Sequence, residues 1–132
     1  MTLVDSSAWI EFLRATGSSP HRRLRALLAA GDPIAIMGTV VLEVLAGARD
    51  ARELSDLRRL LAQSAFLPLE EPSDHELAAE LYRACRREGS TIRRTSDCLI
   101  AAVAIRTGMP VLHCDADFDV LARHTALTVA SG

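Results

Sequence analysis

What narrows the fold of this chain most is the brevity of its apolar runs. Leu3–Val4, IAIM at 34–37, FLPL at 66–69, PVLH at 110–113 and LTVA at 127–130 are each a few residues long. Between them lie longer segments with helical spacing of apolar side chains. Short buried strands alternating with helices predict an α/β fold with a parallel sheet covered on both faces. In such sheets, ligands bind outside the carboxyl ends of the strands.

The start and stop signals fill in the pattern. A first helix is expected from Ser7 to about Arg14, ended near Gly17. A second has Ser19 as N-cap, Pro20 at its first position and Gly31 just beyond its end. Thr39 is expected to cap VVLEVLAGA, and Asp50 with Glu53 forms a capping-box pattern before the next helix. Ser73 with Glu76 does the same for a helix reaching Arg87. Thr95 or Ser96 should cap DCLIAAVAIRT, which Gly108 and Pro110 end, and a short helix is expected near Phe118–Arg123. FLPL, with its Pro68, suits only a sheet edge. At 132 residues, with no repeat or linker, the chain reads as one domain.

Composition excludes several chemistries. All 15 basic residues are Arg, so no Schiff-base, P-loop or general-base lysine exists. Three cysteines without a CxxC pair argue against a disulfide scaffold or structural zinc and favour a reduced, cytoplasmic protein. No apolar run approaches the roughly 18 residues of a membrane span, and no signal-peptide pattern opens the chain. A net charge of −2 gives no bulk attraction to nucleic acid, so local charge must decide that question.

The acids divide by context. Glu53, Asp56, Glu70, Glu71, Asp74, Glu76, Glu80 and Glu88 lie on polar stretches and read as solvated surface. Asp5 and Asp115 instead follow strands, with Asp117 two residues beyond. Glu43 is embedded in VVLEVLAG, and Asp97 stands in the first turn of an otherwise apolar helix. Each has a local explanation: an Asx turn for Asp5, a dipole-stabilising first-turn acid for Asp97, a solvated helix edge for Glu43, a helix cap for Asp115 or Asp117. Together they are expected on one rim of the sheet, where carboxylates repel and raise one another's pKa. A hard cation resolves that conflict, and Mg²⁺ or Mn²⁺ bound by carboxylates keeps positions open for phosphate oxygens.

LVDSSAWIEFL, the TVVLEVLAG glutamate, RTSDCLIAAVA and VLHCDADFDVL, in this order and spacing, resemble the PIN-domain ribonucleases, most closely the VapC-type toxins of bacterial toxin–antitoxin pairs. The resemblance covers essentially the whole chain, as a single PIN domain over residues 1–132. It implies a three-layer α/β/α sandwich with strand order near 3-2-1-4-5. It also implies Mg²⁺- or Mn²⁺-dependent RNA cleavage leaving 5′-phosphate and 3′-hydroxyl ends. Asp5, Glu43, Asp97 and Asp115 match the family's catalytic metal-binding acids, and Asp117 an additional acid beside them. The expected partners are an RNA substrate, a cognate antitoxin and a second copy of the chain; DNA would be met only through the antitoxin.

Arg93 and Arg94, just before Asp97, are placed to grip phosphate over the same rim. His113 stands where the family often has a small hydroxyl residue, and is a phosphate contact or a structural histidine at a strand end. Arg22, Arg23 and Arg25 are weaker basic candidates. Trp9 is expected in the core or an interface before a base-stacking role, and Cys98 and Cys114 as small buried thiols. Other classes fare worse. A receiver domain needs a lysine near its acids, a dehalogenase-type phosphatase needs D-x-D where this chain has DSS, and the four histidines show no pairing for metal-free catalysis. The remaining alternative is a catalytically inactive PIN-like module that only binds a partner.

Overall fold

The computed structural model describes residues 1–130. Chain order is β1 (Thr2–Val4), α1 (Ser6–Leu13), α2 (Ser19–Ala30), β2 (Ile34–Met37), α3 (Gly38–Ala46), α4 (Ala51–Leu61), β3 (Ala65–Leu67), α5 (Ser73–Arg87), α6 (Thr95–Thr107), β4 (Val111–Leu112) and α7 (Ala116–His124). The strands form one parallel sheet in the order β3-β2-β1-β4. Beyond β4, Val129 makes a single parallel bridge to Val111. Among the described residues the expected fifth strand thus lies in its expected place as a bridge beside two-residue β4. Leu3, Val4, Ala35, Val111 and Leu112 are essentially inaccessible, as burial on both faces of a central strand requires. Edge strand β3 leaves Phe66 exposed.

Register sets where the site lies. Leu3 sits opposite Ala35 and Val111, and Val4 opposite Leu112, so β1, β2 and β4 end within one residue of one another. Asp5 continues the alignment by donating its N–H to the Leu112 carbonyl at 3.0 Å. Helix α3 begins at this rim, directly after Met37. Helix α6 precedes β4 and runs back across the sheet, so its first turn lies there too.

Several local expectations are corrected. The cap of α2 is Ser18, whose Oγ accepts the His21 N–H, with Ser19 already helical. Helix α3 starts at Gly38 after Met37, with no side-chain cap from Thr39. Strand β3 is Ala65–Leu67, so FLPL starts one residue late and ends beyond it. Helix α6 follows Arg94 and takes no cap from Thr95 or Ser96.

Helix α5 follows Pro72 rather than using Ser73 as a capping serine, and Asp74 reaches back to the Glu70 N–H at 2.8 Å. Asp74 is therefore not solvated surface but 1% exposed. Arg106 of α6 holds it through two bonds, Nε to Oδ1 at 2.8 Å and Nη2 to Oδ2 at 2.9 Å. Helices α5 and α6 are clamped by this ion pair. Trp9 is fully buried, edge-on to Phe12 at 6.0 Å, which removes the base-stacking alternative. Cys98 is buried as expected, whereas Cys114 is exposed. No helix among the described residues is long and apolar enough to cross a membrane.

Candidate metal centre

Asp5 enters the site through its role as a helix cap. Its Oδ2 accepts the Ser7 N–H at 3.0 Å and the Ser7 hydroxyl at 2.6 Å. Ser7 Oγ in turn accepts the Cys114 N–H at 2.9 Å, tying the segment after β4 to the segment after β1. Oδ1 of Asp5 is buried and has no donor. Burial is the main influence that raises the Asp5 pKa; the Ser7 bonds oppose it, and nearby Glu43 adds to it. Glu43, one turn into α3, accepts the Ser6 hydroxyl at 3.1 Å and keeps part of its carboxylate exposed.

Asp97, in the first turn of α6, is 1% exposed, and its Oδ2 is the second buried carboxylate oxygen without a donor. Its pKa is raised to about 8, first by burial and then by a hydrogen bond shared with Asp117; Arg94 opposes the shift, and repulsion from Asp5 and Asp115 adds to it. One carboxylate oxygen each from Asp97, Asp115 and Asp117 lie within 4.8 Å of one another.

Asp115 caps α7 by accepting the Asp117 N–H on Oδ1 at 2.9 Å. Each oxygen of Asp117 accepts a backbone amide: Oδ1 the Arg93 N–H at 3.3 Å and Oδ2 the Arg94 N–H at 3.2 Å. Burial of Asp117 acts to raise its pKa. The bonds from Asp97 and the two amides outweigh that, and hold it low. Asp117 thus anchors the polar loop before α6 while one of its oxygens stays within 4.8 Å of oxygens of Asp97 and Asp115.

The basic residues do reach over this rim, and they touch the acids themselves. Arg93 Nη2 lies 2.8 Å from Asp115 Oδ1 and its Nε 3.4 Å from Asp117 Oδ1. Arg94 lies 3.4 Å from Asp97, 3.6 Å from Glu43 and 3.9 Å from Asp115. His113 packs on Phe118 with ring centroids 5.2 Å apart, and its Nδ1 accepts the Asp115 N–H at 3.2 Å. Its Nε2 faces Asp119 at 3.6 Å, so the ring supports the Asp115 turn from below. Sequence reasoning missed Ser6 and Ser7 as the residues that orient Glu43 and Asp5. The DSS run, with hydroxyls directly after a strand-end acid, was the available signal.

A divalent ion fits this donor set. Asp97, Asp115 and Asp117 bring one oxygen each within 4.8 Å of one another, while Asp5 and Glu43 fall outside that group; Asp97 Oδ2 and Asp5 Oδ1 are buried without donors, and Arg94 links Asp97, Asp115 and Glu43. The profile of the PIN domain matches residues 2–124. The chain belongs to the PIN-domain family. This PIN domain is 46% identical to the VapC ribonuclease Mb1587 of Mycobacterium bovis and to ribonuclease VapC11 of Mycobacterium tuberculosis, over 99% of this chain and 98% of each relative. Its fold superposes on the crystal structure of VapBC2 from Rickettsia felis bound to a promoter DNA fragment, with a TM-score of 0.76 at 20% identity over 98% of this chain and 96% of that one. The TM-score to Mycobacterium tuberculosis VapC20, a toxin described as cleaving the sarcin–ricin loop, is 0.64 at 18% identity over the full length of both chains.

Proposed function

We propose that this PIN domain, a single domain over residues 1–132, is a metal-dependent endoribonuclease acting in the cytoplasm as the toxin of a toxin–antitoxin pair. The observation that carries this reading is the pair of buried, donorless oxygens on Asp5 and Asp97 at a rim that also holds Glu43, Asp115 and two arginines. Near-full-length identity to ribonucleases supports the activity, and likeness to toxin–antitoxin complexes supports the partner.

Asp5, Asp97 and Asp115 would hold Mg²⁺ or Mn²⁺ directly or through water, and Asp117 would set the loop beside them. When bound, the ion supplies Lewis acidity toward the scissile phosphate and the attacking water. Glu43, partly exposed and oriented by Ser6, either joins the ligands or takes the proton from that water. Arg93 and Arg94 would bind flanking phosphates, and His113 would meet RNA only by leaving Asp119. The antitoxin would cover the acidic rim, with an arginine in place of the metal's charge. A homodimer would join two modest rims into one longer basic groove.

The test is cleavage of RNA by the purified chain with Mg²⁺ or Mn²⁺, scored for 5′-phosphate ends, with EDTA and Asp5→Ala as controls. Activity should vanish in both controls and decline with rising salt as phosphate contacts release counterions. Equal cleavage in EDTA refutes the metal mechanism. No cleavage of any RNA, with antitoxin binding retained, leaves the inactive partner-binding module.

A further inference from the structure

The two arginines that the sequence places over the rim are held differently. Arg93 is bound to Asp117 and to Asp115 through Oδ1, the oxygen that already caps α7. Arg94 points inward, and its guanidinium lies within 4 Å of Glu43, Asp97 and Asp115 at once. Those three belong to the set of acids proposed to hold the metal.

We propose that Arg94 is a built-in counter-cation, which occupies the acid cluster while the metal is absent and must withdraw when a divalent ion enters. The inference rests on the metal-centre reading above. It adds that this chain's metal affinity is set by competition with its own side chain.

The way Arg94 is held supports displacement. Arg106 shows what a fixed arginine looks like here: two bonds under 3 Å to Asp74, with Glu70 and the Pro68 carbonyl adding to them. The Arg94 guanidinium has no contact to an acid shorter than 3.4 Å, and the side chain is 49% exposed. Its backbone, by contrast, is pinned by the Asp117 carboxylate at 3.2 Å. The root is fixed while the charged head is loosely seated. A guanidinium also cannot satisfy what is left over, since Asp5 Oδ1 and Asp97 Oδ2 stay without donors while Arg94 is in place. A compact divalent ion reaches such oxygens better than a planar fork does, so the exchange favours the metal once its concentration suffices.

The test is Mn²⁺ affinity, measured by the paramagnetic resonance of free Mn²⁺ on wild type, Arg94→Gln, Arg94→Lys, Arg93→Gln and Asp97→Asn. Arg94→Gln should bind Mn²⁺ about tenfold more tightly than wild type, in the range usual for coupling between sites. Arg93→Gln, which alters the local charge equally but does not touch Glu43 or Asp97, should gain about threefold or less. Arg94→Lys should fall between, and it serves if the Gln variant does not fold. In EDTA the Gln variant should melt below wild type, and Mn²⁺ should raise its melting temperature by more. Equal or weaker Mn²⁺ binding by Arg94→Gln overturns the inference, as do equal gains in the two Gln variants, which would mean a diffuse field effect. If wild type binds no Mn²⁺, the metal centre fails and the inference with it. If wild type binds and Asp97→Asn does not, the centre stands and the Arg94 result decides.

Discussion

Replacing Asp97 by Asn separates charge from shape at the centre of the site. The folded chain holds the Asp97 pKa at about 8, against 3.8 for an ordinary Asp, through burial first, then the bond shared with Asp117, with repulsion from Asp5 and Asp115 adding to it. Between those values the folded state keeps a proton that the unfolded state has lost. Stability in the absence of metal is therefore fully present below about pH 4 and declines as pH rises toward 8. The steepest decline for one proton is roughly 1 kcal/mol per pH unit, which for a domain of this length is roughly 3–5 °C in melting temperature. Asn at this position is neutral at every pH and can donate to Asp117 as the protonated acid does.

In EDTA, then, wild type and Asp97→Asn should melt together only below about pH 4, and the variant should be ahead by pH 5 and pull further ahead as pH rises to 8. Calorimetric scans at pH 5, 6, 7 and 8 read the gap directly. With excess Mg²⁺ at pH 8 the order should reverse, because the ion stabilises wild type by mass action and finds a poorer site in the variant. A gap that does not change with pH, or a variant less stable throughout, would refute the reasoning. Asp97 would then be a structural first-turn acid whose charge the fold tolerates.

Three further outcomes follow from particular contacts. Arg106→Met should cost about 3 kcal/mol in denaturant unfolding, because it strands Asp74 at 1% exposure. The Arg106 bonds hold the Asp74 pKa low, so this stability is present above about pH 4 and lost as pH falls, and the variant should lose that acid sensitivity. Asp117→Asn keeps one acceptor for two backbone amides and should cost about 1–3 kcal/mol, with faster amide exchange at Arg93 or Arg94. Ser7→Ala removes a donor to Asp5 and an acceptor for Cys114, and should cost about 1–2 kcal/mol while lowering RNA cleavage; unchanged cleavage would deny Ser7 a role in orienting Asp5.

The alternation of short apolar runs with helical segments carried the fold class, because burial on both faces leaves a parallel strand no polar alternation. It could not carry every boundary. Helices α3, α5 and α6 lack the side-chain caps that Thr39, Ser73 and Thr95 or Ser96 advertised. The starts of α3 and α6 are fixed by their placement at the rim and that of α5 by the packing of Asp74 on Arg106, which outweigh a hydroxyl worth about 1 kcal/mol. Asp74 was misread for a related reason. It sits in a polar stretch, and only the packing of α5 on α6 brings Arg106 to it from 32 residues away. Nothing local announces an ion pair of that span.

The acids at the rim were legible as a group, and the structure explains why their separate local readings were sound as well. Asp5 is an Asx-type cap of α1, Asp115 caps α7, and Asp97 is a first-turn acid of α6. None of this competes with a role in holding metal, because a cap consumes one carboxylate oxygen and leaves the other. Asp5 uses Oδ2 for Ser7 and keeps Oδ1; Asp115 gives Oδ1 to the Asp117 amide and keeps Oδ2. The cap orients the carboxylate, and the fold directs the remaining oxygen to the rim. Asp117 combines the two: each of its oxygens accepts a backbone amide, which positions Arg93 and Arg94, and one still lies within 4.8 Å of oxygens of Asp97 and Asp115. The division between ligand and support in this cluster is thus decided oxygen by oxygen. A sequence names the acid but not which of its lone pairs the backbone has already claimed.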